Sequence, residues 1–483
     1  MTDEKARSLA SKIVLPRFTL TEVCACDEPG ATERVITPTG AESTGYFFRP
    51  SARPVAYSQT GSSYSYNLMP VVLDGAGAPW ADANLYLLAR IEGVLSPSMT
   101  TYHGIADDLA AFYRFLEEDG LDYKAFPRRR LLRPTYRYRA YLQQRIMAGE
   151  IAPTTARRRI STVIGFYRWL SAENVFVPDN PPWEEHDVYI QLNNDVGFRR
   201  SKVVVATDIG VRVPVQNDPY TGTIEDGGKL RPLPIDEQQH LLDSLLDLGN
   251  TEMTLLHIFA LFTGARIQTA LTLRARYFQS ELPPAVKEFR LPVGPGTSID
   301  TKNGKRMVLH IPAWLYEKLR IYAASPRATK RRIRAGSDTS DQYLFLSSRG
   351  VPMYSSKVDQ NRFNDASTLR HEKHGQAVRQ YIREFVIPAV CRRLGRSFYY
   401  RFHDLRASFG MNLTDHQLAI ARSGKVTLHQ VREFVKVRMG HESSATTDLY
   451  LQFRQHAAMV ERVQQGYDQH LQHLINTVID GEL

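Results

Sequence analysis

Cysteine is scarce in this chain: Cys24, Cys26 and Cys391 are the only three in 483 residues. That excludes a small scaffold stapled by disulfides. Cys24 and Cys26 have no nearby Cys or His set, so they do not make a four-ligand zinc site. Long apolar runs are lacking too. No stretch of about 18 uninterrupted apolar residues occurs, so no membrane span is expected. The opening MTDEKARSLA is charged and has no apolar segment, which argues against a secretory signal. Internal repeats and low-complexity tracts are absent as well. These absences lead to the expectation of a cytoplasmic protein with reduced thiols.

What is present is enough apolar material, 43% of residues, for well-packed cores. At about 150 residues per domain, the length predicts two to four domains. Lys and Arg outnumber Asp and Glu by 61 − 51 = 10, a balance that permits a polyanionic partner. The distribution says more. Between Lys124 and Arg168 there are twelve Lys or Arg and one acid, Glu150. Phe126, Tyr136, Tyr138, Tyr141, Phe166 and Tyr167 lie among them. Such a segment suits a phosphate backbone, with Arg128, Arg129, Arg130, Arg157, Arg158 and Arg159 as candidate DNA contacts. The alternative is a solvated helix face over core aromatics.

Residues 1–75 are turn-rich and read as an appended arm. Residues 76–185 read as helical. Ile105, Leu109, Phe112 and Leu116 form one stripe of a helix closed by Gly120. Ile160, Val163, Ile164 and Tyr167 form another, with Thr154 or Thr155 as N-cap. Arg157, Arg158 and Arg159 crowd its first turn against the helix dipole, so something outside the helix is expected to balance them. Residues 186–231, rich in Pro, Gly and Asn, read as a linker with some strand content. Residues 232–455 form the largest unit. It opens with two Gly-ended helices, IDEQQHLLDSLLDLG and EMTLLHIFALFTG. Strands are expected around an Asn303-Gly304 hairpin turn. A basic loop over 325–336 offers Lys330, Arg331 and Arg332, beside Arg327 and Arg334, as further phosphate contacts. In the tail, 456–483, Val460, Val463, Tyr467, Leu471, Leu474 and Val478 mark an amphipathic helix.

Four segments carry chemistry. Arg266 follows a Gly-ended helix in LFTGAR. Lys302 precedes the Asn-Gly turn, and Lys305 follows it. RFHDLRASFG holds His403 and Arg406 three residues apart on one helical face. MGHESSATTDLY sets His441 nine residues before Tyr450. Two arginines can offer forked donors to one phosphodiester and neutralise the charge of a five-coordinate transition state. A tyrosine hydroxyl can attack phosphorus. A lysine can protonate a leaving sugar oxygen, and histidines can position groups and move protons.

The order Arg266, Lys302, His403-x-x-Arg406, Gly440-His441, Tyr450 resembles the tyrosine recombinase (phage integrase) family. The resemblance covers roughly residues 232–456 by motif, and the basic helical segment is similar in kind to the family's core-binding domain. It implies a mostly α catalytic domain with a small β-sheet, plus an all-α core-binding domain, closing on duplex DNA as a C-shaped clamp. It implies a homo-tetramer on paired sites, with accessory DNA-bending or partner recombinase proteins as further partners, and no cofactor. Arg266 and Arg406 would clamp the scissile phosphate, and His403 and His441 would contact it. Lys302, or Lys305 in its place, would be general acid. Tyr450 would form a 3′-phosphotyrosyl link on the way to a Holliday junction, for integration, excision or transposition of a mobile element. A C-terminal segment would pack on a neighbouring subunit.

Two departures stand out. Thr269 occupies a position where an acidic residue often buffers the first arginine, so that contact is lost or supplied from elsewhere. The 44 residues from Arg406 to Tyr450 look stretched, so DHQLAIARSGKVTLHQ is expected to loop out. Three other functions stay open: a type IB topoisomerase, a telomere resolvase, or a DNA-binding protein that keeps the fold without cutting.

Overall fold

The computed structural model describes residues 9–25, 35–36, 42–43, 46–50, 65–92, 99–193, 199–213, 222–359 and 373–481. The turn-rich stretches at 27–33 and 58–64 lie outside them. So do the side chains of Val460, Val463, Leu474 and Val478. The described residues divide into two units, 9–213 and 222–359 with 373–481. The architecture is mostly helical, with small two-stranded antiparallel sheets. Among the described residues no helix is long and apolar enough to cross a membrane.

In the first unit, β1 (Ser11–Thr19) pairs with β6 (Ser65–Leu73), β2 (Thr21–Ala25) with β5 (Tyr46–Pro50), and β3 (Val35–Ile36) with β4 (Glu42–Ser43). Helices α1 (Ala81–Glu92), α2 (Met99–Glu118), α3 (Pro134–Met147) and α4 (Pro153–Ala172) follow. A ribbon of β7 (Glu185–Asn193) and β8 (Arg199–Thr207) completes the unit. The expected stripes face inward: Leu109, Phe112, Leu116, Ile160, Val163 and Tyr167 are buried. Tyr66, Met69 and Val72 of β6 join the same core, so the last strand of the expected arm packs with the helices.

Two expectations are corrected here. The α4 N-cap is Ala152, because Pro153 at the first helical position has no N–H to cap and a preset φ. The aromatics of the basic segment are core: Phe126, Tyr136, Tyr138, Phe166 and Tyr167 are buried, and Tyr141 packs against them. Aromatic rings carry the largest apolar areas, so a core this small uses them for packing.

The second unit opens with β9 (Ile224–Glu225) paired to β10 (Lys229–Leu230). The helices α5 (Ile235–Asp247), α6 (Thr251–Thr263) and α7 (Ile267–Leu271) come next. Strands β11 (Glu288–Val293) and β12 (Met307–Pro312) pair antiparallel and lead into α8 (Ala313–Ala324) and α9 (Pro326–Arg334). Helix α10 (Gln376–Tyr381) joins α11 (Ile387–Leu394) through a π-turn, and α12 (Asp404–Arg422), α13 (Leu428–Met439) and α14 (Ser444–Gly481) close the chain. Helix α6, apolar on nearly every side, runs through the core with Phe259 and Leu256 fully buried, beside Leu309 of β12 and Leu405 of α12.

Further differences have local causes. The Asn-Gly turn exists, with φ of 59° at Asn303 and 65° at Gly304, but it sits inside a longer connection. The strands resume only at Met307. The basic loop is the helix α9: the Ser325 hydroxyl accepts from Ala328 N–H at 3.2 Å, and Pro326 stands at the first helical position. The stretch 415–430 does not loop out; it lengthens α12 and starts α13, leaving a short turn capped by Thr427 and Gln430.

Candidate active site

Arg406 fixes the centre. Its guanidinium is 2% exposed. Nη1 donates to Gly264 O at 2.9 Å and Nη2 to Met439 O at 2.7 Å. These carbonyls close the C-termini of α6 and α13, where unpaired C=O groups and the helix dipole favour a cation. Gly264 and Gly440 end those helices with φ of 66° and 63°. A Cβ at Gly264 would stand 2.6 Å from Phe409 Cδ1, so the TGAR glycine permits both the turn and the approach of α12. The start of α12 is held by Asp404, which accepts from Arg401 N–H at 2.8 Å and Arg231 N–H at 3.1 Å.

Around Arg406 the other predicted residues converge. Arg266 is the N-cap residue of α7. Burial, then the neighbouring Arg406, push its guanidinium down to about 10. His403 stands at the N-cap position of α12, and burial together with the charges of Arg266 and Arg406 lowers its imidazole to about 4, so it is neutral near pH 7. Lys302 reaches the same space: a Cβ at Gly227 would lie 2.9 Å from its Nζ and 3.7 Å from Arg266 Nη2. Lys305 is turned elsewhere. Its Nζ donates to Gly440 O at 2.8 Å and pairs with Glu442 at 3.4 Å.

His441 follows the αL glycine. Its Nε2–H donates to the Asp226 carboxylate at 3.2 Å, and its Nδ1 accepts from the Thr447 hydroxyl at 2.9 Å. Burial lowers its pKa, opposed by Asp226. Tyr450 is fully buried, 5.6 Å ring to ring from His441, and its hydroxyl donates to Asp226 at 3.1 Å. Burial, then the Asp226 charge, raise the Tyr450 hydroxyl above its ordinary value.

Asp226 lies in the stretch expected to be linker, and sequence reasoning missed it. It sits at the tip between β9 and β10 and is 4% exposed. One oxygen, Oδ2, accepts from Arg406 Nε at 2.7 Å, from His441 and from Tyr450; Oδ1 accepts from Arg266 Nη2 at 3.3 Å. Burial alone would raise its carboxyl. The His441 hydrogen bond and the charges of Arg406, His441 and Arg266 outweigh burial and hold it well below the carboxylate range. The carboxylate that Thr269 cannot give Arg266 thus comes from forty residues upstream. Thr447, also missed, is fully buried beside His441; its only sequence signal is a hydroxyl six positions after the histidine.

The candidate DNA contacts are scattered. Arg128, Arg129, Arg130, Arg157 and Arg158 are exposed and Arg159 is half-buried. Arg130 pairs with Glu184 at 2.9 Å. Arg158 and Arg159 lie 3.0 and 4.0 Å from the buried Asp108 of α2, so part of the charge balance expected from outside α4 comes from the protein itself. On α9, Lys330 is exposed. Arg331 pairs with Glu252 at 2.9 Å, and Arg332 is buried, donating to Asp338 at 2.5 Å and Ala323 O at 2.8 Å. Those two cations are engaged within the fold.

No protein-family model and no curated protein matches the chain. Solved structures with a similar backbone include XerH site-specific recombinase bound to difH substrate, at 14% identity and a TM-score of 0.41, over 79% of this chain and 88% of that one. Lambda integrase residues 75–356, a dimer bound to a COC′ core site, is similar at 15% identity and 0.41, over 77% and 94%. The Tn1549 transposon integrase in complex with circular intermediate DNA is similar at 13% and 0.41, over 76% and 94%.

Proposed function

We propose that this chain is a tyrosine site-specific recombinase, which breaks and rejoins DNA strands through a 3′-phosphotyrosyl intermediate. The observation that carries the proposal is the convergence of Arg266, Arg406, His441 and Tyr450 on one buried anion, the Asp226 carboxylate. A pocket that holds one oxyanion among two guanidiniums, an imidazole N–H and a tyrosine hydroxyl has the donors a phosphodiester requires.

In the reaction, the Tyr450 oxygen bonds to phosphorus and the bond to the 5′ oxygen breaks. Lys302 gives the leaving oxygen its proton. His403, held neutral, offers a ring nitrogen for the tyrosine proton. Arg266 and Arg406 neutralise the growing charge, and His441 donates to a non-bridging oxygen. A 5′ hydroxyl from another strand then reverses the attack and restores Tyr450. The phosphate ester conserves the bond energy between the two halves, so strands exchange through a Holliday junction.

Residues 76–185 act as the core-binding domain, with the exposed Arg128, Arg129, Arg157 and Arg158 on phosphates. The protein binds duplex DNA and works as a tetramer on paired sites. Exposed Tyr467, Leu471 and Ile475, at every fourth position of α14, suit a contact with a neighbouring subunit.

Nicked duplexes drawn from DNA flanking the gene test the proposal. Wild type is expected to leave an SDS-resistant protein–DNA adduct with chelator present. Arg266→Ala and Arg406→Ala are each expected to slow its formation by about 10²–10³. Full cleavage in either variant would remove that arginine from its role.

A further inference from the structure

Building on the strand-transfer function above, we propose that Asp226 is an internal occupant of the phosphate seat, and that the β9–β10 hairpin must withdraw it before DNA can react. Oδ2 collects the Arg406, His441 and Tyr450 donors at 2.7, 3.2 and 3.1 Å, and Oδ1 takes Arg266 at 3.3 Å. All four are groups assigned to the scissile phosphate. A carboxylate imitates a phosphodiester here: it carries one negative charge spread over two oxygens.

Carboxylate and phosphate exclude each other from this space. Phosphorus has to approach the Tyr450 oxygen to about 3–3.5 Å for attack, and Asp226 Oδ2 already lies 3.1 Å away. An adjacent negative charge would also repel the incoming phosphate.

Asp226 is ill suited to serve as base for Tyr450. The His441 hydrogen bond and the two guanidinium neighbours keep it ionised and weakly basic, and its charge adds to burial in raising the tyrosine hydroxyl instead of activating it. A permanent buffer for Arg266 would need Oδ1 alone. The three contacts of Oδ2 are what such a role leaves unexplained.

The carrier is built to move at its tip. Gly227 and Gly228 follow Asp226 with φ of 72° and 152°. Two residue pairs make up the whole β9–β10 ladder. The far side is anchored, since Arg231 N–H donates to Asp404 at 3.1 Å and Leu233 N–H to Ser408 at 2.9 Å. Ile224, on the near side, packs in the cluster that holds Tyr450, Met439 and Val435. Withdrawing the hairpin therefore empties the seat and loosens the wall around the buried nucleophile together.

Orthovanadate, a tetrahedral oxyanion, tests the seat on the full chain without any DNA sequence. Asp226→Asn should bind it about tenfold tighter than wild type, read as a ligand-dependent rise in melting temperature. Asp226→Ala, which leaves Arg406 and Arg266 without their counter-charge, should melt below wild type and recover as vanadate is added. On a nicked duplex that the protein protects, Asp226→Asn should form the Tyr450-dependent adduct about tenfold faster. Vanadate bound by both variants no better than by wild type would overturn the proposal. So would a slower adduct in Asp226→Asn, which would make Asp226 a positioning residue. If strand transfer itself is wrong, wild type and variant alike give no adduct, and the vanadate titration still decides whether Asp226 fills an anion seat.

Discussion

Gly410 of α12 lies against the ring of Tyr450. A Cβ there would stand 2.4 Å from Cε1 and 2.9 Å from Cδ1 of the tyrosine, and 2.9 Å from Met439 Cε. No side chain fits at that distance. The glycine that ends RFHDLRASFG thus shapes the seat of the nucleophile, four residues after the arginine that anchors the site. Gly410→Ala is expected to displace the ring and to cost about 1–3 kcal/mol through overpacking. Adduct formation should fall by more than the loss of folded protein explains. An unchanged adduct rate would mean that the ring position does not matter.

Thr447 supports the tautomer of His441. The ionised Asp226 accepts from Nε2–H, which leaves Nδ1 to accept from the Thr447 hydroxyl. Thr447→Val removes that donor at nearly constant volume. The loss of one buried hydrogen bond, about 1–1.5 kcal/mol, predicts a rate decrease of about tenfold. Thr447→Ser should retain the rate, and single-turnover cleavage of a nicked duplex measures both.

The two lysines of the Asn-Gly turn separate cleanly. Lys302 Nζ shares its space with Arg266, whereas Lys305 is tied to Gly440 and Glu442. Lys302→Met should slow cleavage strongly and Lys305→Met only mildly. A substrate whose leaving 5′ atom is sulfur needs no proton from an acid, so it should restore Lys302→Met. Failure of that rescue would assign the lysine to phosphate binding instead.

Acid should destabilise the second unit through two histidines. His257 is buried, with Nδ1–H donating to Met253 O at 2.6 Å and Nε2 accepting from Tyr400 at 2.9 Å; burial lowers it to about 4. His403 is also lowered to about 4. In both, the folded pKa lies below the unfolded value, so the unfolded chain takes up protons first. The stability they contribute is complete above about pH 6.5 and is lost as pH falls toward 4. For His257 the loss by pH 4.5 is about 2–3 kcal/mol. Melting temperature followed from pH 7 to 4.5 should fall over this window; a flat profile would contradict the lowered values.

The sequence exposed the helices because their apolar stripes repeat, and it pointed to most residues of the candidate site because Arg266, Lys302, His403, Arg406, His441 and Tyr450 each sit in a recognisable local context. The misses share a physical cause. Asp226 stands in a Pro/Gly-rich stretch without periodicity, and it meets Arg406 from 180 residues away. Only tertiary folding joins them. Helix α9 hid behind its charge, although Ser325-Pro326 was a start signal. The lengthening of α12 was hidden because a longer helix and an inserted loop have the same residue count. The aromatics of 124–168 could pack a core or face a ligand, and their spacing alone did not separate the two.

The chain has 24 tyrosines, so the most direct test of the central claim is to find which one carries DNA. Wild type would be trapped on a nicked duplex, digested with nuclease and protease, and the nucleotide-bearing peptide sequenced by mass spectrometry. The nucleotide is predicted on Tyr450, through its 3′ phosphate, and Tyr450→Phe should yield no such peptide. A nucleotide on another tyrosine, or an adduct that survives Tyr450→Phe, would contradict the assignment of the nucleophile and the site built around it.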